Sequence, residues 1–157
     1  MREVHIIYGT AIGKTSAAVG CGIKAASQGK TVTIVQFLKG ADSDYDILKR
    51  LEPEIRIFTF ETGDKAFVDL SMEERDEQRI KVQTSFNYAK KVIETGGSDV
   101  IILDELLGLL DYNMIFVQDV INLIQDNPDI HIIITGRNLA KELLSVATKV
   151  SLLVPEK

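Results

Sequence analysis

"IIYGTAIGKTSAAVG", residues 6–20, is the stretch that decides the reading. It opens as an apolar run, passes through Gly9-Thr10-Ala11-Ile12-Gly13-Lys14-Thr15-Ser16, and ends in helix-forming alanines. A strand that enters a helix through such a loop is built to hold phosphate. The unpaired amides of a helix start point outward, and the helix dipole favours an anion there. Gly9 and Gly13 allow a close backbone approach. Lys14 adds a mobile charge, and the Thr15 hydroxyl is a ligand for Mg²⁺. The usual spacing, G-x-x-x-x-G-K-[ST], would put a glycine at position 8. Tyr8 stands there, so this loop is one residue short.

Outward from the loop, short apolar runs alternate with helical patterns. Strands are expected at 4–8, 31–37, 55–60, 100–103, 130–135 and 150–154, several of them apolar on both faces as in a buried parallel sheet. Helices are expected at 14–28, roughly 42–51, 72–95, 114–126 and 138–147. Gly29 and Gly96-Gly97 close the first and third of these, and Ser71 with Glu74 forms a capping box at the start of the third. The alternation predicts an α/β fold, a single three-layer P-loop NTPase-like domain over 1–157 with a mainly parallel central sheet of about six strands.

At 157 residues the chain has the length of one domain, and a net charge of −5 argues against a nucleic-acid partner. A single cysteine excludes an internal disulfide and a cysteine-based zinc site. The start does not read as a signal peptide, and no apolar run approaches the roughly 20 residues of a membrane span. The expectation is a cytoplasmic protein with no membrane partner.

"DVIILDELLG", residues 99–108, supplies an acidic strand end, where Asp104 and Glu105 suit a hard cation such as Mg²⁺ or Mn²⁺. Arg137 in "IIITGRN" follows another strand, either as a phosphate clamp or as a plain surface arginine. His5 and His131 fall inside strand patterns and read as core or sheet-flanking residues, and Cys21 reads as packing. A dedicated general base is not evident.

With the short loop, "VQFLKG" at 35–40, "ILDE" at 102–105 and "ITGR" at 134–137, the chain resembles the P-loop type of ATP:corrinoid adenosyltransferase over nearly its whole length. The loop deficit of one residue is shared with that family. The resemblance implies ATP and a cob(I)alamin-type corrinoid as substrates. Cobalt(I) would attack the ribose 5′ carbon and tripolyphosphate would leave, a reaction in which the nucleophile needs no protein base. Gly9 to Ser16 would hold the triphosphate, with Lys14 neutralising its charge and Arg137 a further ATP contact. Thr15 and Glu105 would ligate the metal, with Asp104 behind them or acting through water. Lys39, Phe60 and Phe67 are candidates on the corrinoid side.

The resemblance also implies a homodimer and a separate corrinoid-reducing protein. Two departures stand out. Family loops commonly read Asn-Gly-Lys where Thr10-Ala11-Ile12 stand, and the family's Trp-bearing aromatic segment has only "FETGDKAF" as its counterpart in a chain without tryptophan. A kinase or ATPase acting at the γ-phosphate and a non-catalytic ATP- or corrinoid-binding module are the alternatives.

Overall fold

The computed structural model describes residues 2–39, 46–61 and 67–157. Six strands form one sheet: β1 (Val4–Tyr8), β2 (Val32–Lys39), β3 (Ile55–Glu61), β4 (Val100–Asp104), β5 (His131–Gly136) and β6 (Lys149–Leu152). Their order is β3-β2-β4-β5-β1-β6, and all five pairings are parallel. The expected mainly parallel sheet is therefore wholly parallel.

Four α-helices cover it: α1 (Lys14–Ser27), α2 (Met72–Glu94), α3 (Leu106–Asp111) and α4 (Val117–Asp126). Strand alternation sorts the apolar side chains between two cores. Val35, Phe37, Ile101, Leu103, Ile132 and Ile134 meet α2, α3 and α4. Val32, Ile34, Val100, Ile102 and Ile133 face the other way, toward Ala18 and Val19 of α1. Gly22 lets α1 sit close to the sheet, because a Cβ there would stand 3.0 Å from Ile102 Cδ1.

Local signals are realised as read. The Ser71 hydroxyl accepts from the Glu74 amide at 3.1 Å, and Glu74 Oε2 accepts from the Ser71 amide at 2.8 Å. Gly29 and Gly96 take positive φ, 82° and 66°, just past α1 and α2. The helices expected later in the chain differ. Of the expected helix at 42–51, residues 42–45 lie outside the described residues, and Asp46–Leu51 is a 3₁₀ turn. The helix expected from 114 starts at Val117 and is preceded by α3, which the pattern did not signal. The segment expected as a helix at 138–147 contains only a 3₁₀ turn, Lys141–Ser145, anchored by one fully buried side chain, Leu143. Cys21, expected to pack, is exposed. It lies on the outer side of α1, away from Ala18, Val19 and Gly22, the positions that helix buries.

Candidate active site

All strands run the same way, so their carboxyl ends share one edge, where ligands of open α/β sheets bind. β1 leaves that edge into the glycine loop. Gly9 has φ 130° and Gly13 φ 113°, values that disfavour a side chain. A Cβ on Gly9 would collide with the Leu153 carbonyl. The residue just past β6 straps this loop. Leu153 donates its amide to the Tyr8 carbonyl at 2.8 Å, and its own carbonyl accepts from the Ala11 amide at 3.1 Å. The Gly9 amide is shared between the Gly136 and Arg137 carbonyls, at 3.2 and 3.1 Å.

The remaining loop amides are differently placed. Among the described residues nothing accepts a hydrogen bond from those of Thr10, Ile12 or Gly13. Gly13 caps α1 without a side-chain bond, and the first turn of that helix holds no acidic residue. The dipole end is thus open to an external anion. Lys14 folds back over the loop, its Nζ donating to the Ala11 carbonyl at 2.9 Å. Ile12 is fully exposed at the loop tip and Ser16 is exposed on α1.

Thr15 reaches the acidic strand end. Its hydroxyl donates to Asp104, 2.9 Å from Oδ1 and 3.1 Å from Oδ2. Asp104 is 0% exposed, and it also accepts from Thr135 Oγ1 at 2.6 Å and from Gln36 Nε2 at 3.3 Å. Gln36 in turn accepts from the Thr59 hydroxyl at 2.8 Å. Thr59 pairs with Gln36, and Gln36 with Asp104, in the strand registers. A polar row therefore crosses β3, β2, β4 and β5 at their carboxyl ends, on the face that α1 covers. Its sequence signal is a single polar residue breaking each apolar run near its end: Thr59, Gln36, Asp104 and Thr135. Only Asp104 was picked out from the sequence.

Glu105 follows with φ 66°, a left-handed conformation that a glutamate adopts only when its surroundings impose it. Its amide donates to Thr135 Oγ1 at 2.9 Å. Arg137 is exposed and begins the loop beyond β5, which Asn138 ties to α3 through Asp111 Oδ2 at 3.0 Å.

The structure thus gathers Gly9 to Ser16, Asp104, Glu105 and Arg137 at one edge. Phe60 lies apart from them, packed against the α2 side with its ring 6.2 Å from that of Tyr88. The side chains of Lys39 and Phe67 lie outside the described residues. Among the described residues no group of three or more His, Cys, Asp or Glu is placed to hold a metal ion by itself.

Both histidines sit at the opposite edge. His5, buried in β1, bonds Ser151 Oγ through Nε2 at 2.8 Å. Burial and the neighbouring Lys149 charge hold its pKa below the ordinary value. His131 accepts from the Glu3 amide at Nδ1, and burial with the Lys30 charge lowers it too. Neither is near the glycine loop.

Comparison with known sequences gives the family. Residues 2–157 fit the family model described as ATP:corrinoid adenosyltransferase BtuR/CobO/CobP. The chain belongs to that family. The corrinoid adenosyltransferase of Escherichia coli K12 is 28% identical over 164 residues, which take in 99% of this chain and 79% of that one. Corrinoid adenosyltransferase CobA of Salmonella typhimurium is 29% identical with the same coverage. A corrinoid adenosyltransferase from Sinorhizobium sp. is 27% identical over 150 residues, 88% of this chain and 65% of the relative. As a family member the chain is a transferase. Among its described residues no helix is long and apolar enough to cross a membrane.

Proposed function

We propose that this adenosyltransferase moves the 5′-deoxyadenosyl group of ATP to the cobalt of a reduced corrinoid and releases tripolyphosphate. The observation that carries the reading is the short Gly9–Thr15 loop, open at the amides of Thr10, Ile12 and Gly13 and joined through Thr15 to Asp104, in a chain of this family. The cobalt(I) electron pair forms the bond to the ribose 5′ carbon. The carbon–oxygen bond to the triphosphate breaks and its electrons leave with the phosphate chain, so cobalt ends as cobalt(III). No proton has to be moved, which suits a site edge whose nearest imidazoles are at the far end of the strands.

The work left to the protein is positioning and charge stabilisation. The amides of Thr10, Ile12 and Gly13 would donate to the phosphate oxygens. Lys14 would exchange its bond to the Ala11 carbonyl for the departing chain, and the exposed Arg137 stands at the same edge to meet it. The oxygen donors at the edge, a threonine hydroxyl and carboxylates, are those Mg²⁺ or Mn²⁺ accepts alongside substrate phosphates and water. Thr15 and Glu105 would hold that ion, which neutralises phosphate charge when bound. Asp104, filled by its neighbours, would act through Thr15. A hydroxyl that donates its one proton to Asp104 keeps its lone pairs for a cation. A homodimer and a separate corrinoid-reducing protein belong to the same reading.

The test is phosphorus NMR of the products from ATP, Mg²⁺ and chemically reduced cobalamin. Tripolyphosphate together with adenosylcobalamin is the expected result. ADP and phosphate would make the chain a kinase or ATPase acting at the γ-phosphate, and bound but unchanged ATP would make it a binding module.

A further inference from the structure

Thr135 is 0% exposed at the end of β5, the strand lying between the loop strand β1 and the acidic strand β4. Its hydroxyl does two things at once. It donates its proton to Asp104 Oδ1 at 2.6 Å, and it accepts the Glu105 amide at 2.9 Å. The one hydroxyl therefore touches both members of the acidic pair. Glu105 is also the residue held at φ 66°, a strained backbone that persists only where its surroundings hold it. Gly136, next along, permits the close packing that this requires, because a Cβ there would collide with Leu107 at the start of α3.

We infer that Thr135 is a positioning residue that sets the acidic pair, turning Asp104 toward Thr15 and aiming the Glu105 backbone so that nucleotide-bound Mg²⁺ is gripped. The inference rests on the ATP and metal reading above and adds a residue to it. Asp104 has two oxygens and receives Thr15, Thr135 and Gln36. With the Thr135 donor filling Oδ1 from one side, the carboxylate plane is fixed, and the Thr15 hydroxyl is held as a donor to it. Without Thr135, Asp104 Oδ1 would lose its donor at 2.6 Å, and the Glu105 amide would lose the hydroxyl that accepts from it at 2.9 Å. Partners that orient metal ligands from behind typically change metal affinity by about 10–100-fold. Phosphate binding by the loop amides would be untouched, because none of them bonds to Thr135.

The test is calorimetric binding of ATP with and without Mg²⁺, which needs no corrinoid and no turnover. In the unaltered protein Mg²⁺ is expected to tighten ATP binding. In Thr135→Val, which keeps the side-chain volume, metal-free affinity is expected to stay within about twofold, while the Mg²⁺ gain falls by about tenfold. Thr135→Ser, which keeps the hydroxyl, is expected to restore the gain. In turnover, Thr135→Val would lower kcat more than it raises KM. A Thr135→Val protein that folds and keeps the full Mg²⁺ gain overturns the inference. Should that variant not fold, Thr135→Ser decides alone: retention of the gain supports the role of the hydroxyl and loss overturns it. If ATP binding to the unaltered protein ignores Mg²⁺, the metal reading itself fails, a result distinct from a failure of Thr135.

Discussion

The two edges of the sheet are made by the same six strands and treat their polar groups in opposite ways. At the amino edge polar groups close on one another. Asp99 Oδ2 accepts from both the amide and the hydroxyl of Thr31, at 2.8 and 3.1 Å, and the Ser98 hydroxyl spans the Thr31 and Val100 carbonyls. Thr148 takes the Val4 amide at 2.8 Å, and His5 is spent on Ser151. At the carboxyl edge the bonds instead converge on one carboxylate, while the amides of Thr10, Ile12 and Gly13 have no acceptor among the described residues and Glu105 takes a positive φ without being glycine. The amino edge pairs these polar groups within the fold. The carboxyl edge leaves those backbone donors without an internal acceptor, and at Glu105 it carries strain that the rest of the fold must hold in place.

Substitutions can break that contrast. The largest effect is expected from Gly9→Ala, which adds both a clash with the Leu153 carbonyl and an unfavourable φ. Urea unfolding should show a loss of about 3 kcal/mol, with ATP binding gone. A fully stable variant would mean the loop does not depend on its strap. Next comes Lys14→Ala, expected to weaken ATP binding by roughly 100-fold by calorimetry while circular dichroism stays unchanged. An unchanged dissociation constant would remove the phosphate reading of this edge.

At the amino edge the signs reverse. Asp99→Ala should cost about 1 kcal/mol of stability and leave ATP affinity as it was. An effect on ATP as large as on stability would erase the distinction between the edges.

The smallest effect sharpens the comparison through pH. His5 and His131 are both held below the ordinary 6.5 by burial and by nearby lysines, so the unfolded chain binds protons that the folded chain refuses. Stability should therefore be full above about pH 6.5 and fall as pH drops below it. Melting curves should show this, and a His5→Gln variant should flatten the slope. A stability that rises on acidification would contradict the environment assigned to both rings.

What was legible in the sequence was local. The strand at Val4–Tyr8, the glycine loop, α1 and the Ser71–Glu74 box each announce themselves within a few residues. Helix α3 did not. Leu106, Leu107 and Leu109 are all fully buried, so the helix is apolar on every side and has no amphipathic period to detect. Each of those leucines contributes roughly 2 kcal/mol of burial, which holds six residues in a helix that local preference alone would not.

The candidate site was legible in its parts and not in its wiring. Thr15 and Asp104 were each evident, yet the bond between them joins residues 89 positions apart. The row from Thr59 through Gln36 and Asp104 to Thr135 exists only because the strands are ordered β3-β2-β4-β5 in a common register. Nothing near Thr135 in the chain says that Asp104 will be its neighbour. Cys21 was misjudged for a related reason, since which side of α1 faces the sheet is decided by the packing of Ala18 and Gly22 against strands made later.

The strap from Leu153 has a consequence for the order in which the protein is made. Strand β1 and its loop leave the ribosome before every strand they pair with. Yet β1 pairs only with β5 and β6, and the loop takes its bonds from Gly136, Arg137 and Leu153. Its partners are thus made after β2, β3 and β4, and the contacts that shape the loop are among the most distant along the chain. The first strand must wait for the final one. A nascent chain stalled short of residue 131 would hold β2, β3 and β4 in their native order but have no neighbour for β1. The glycine loop takes its shape only once β5, β6 and Leu153 are in place.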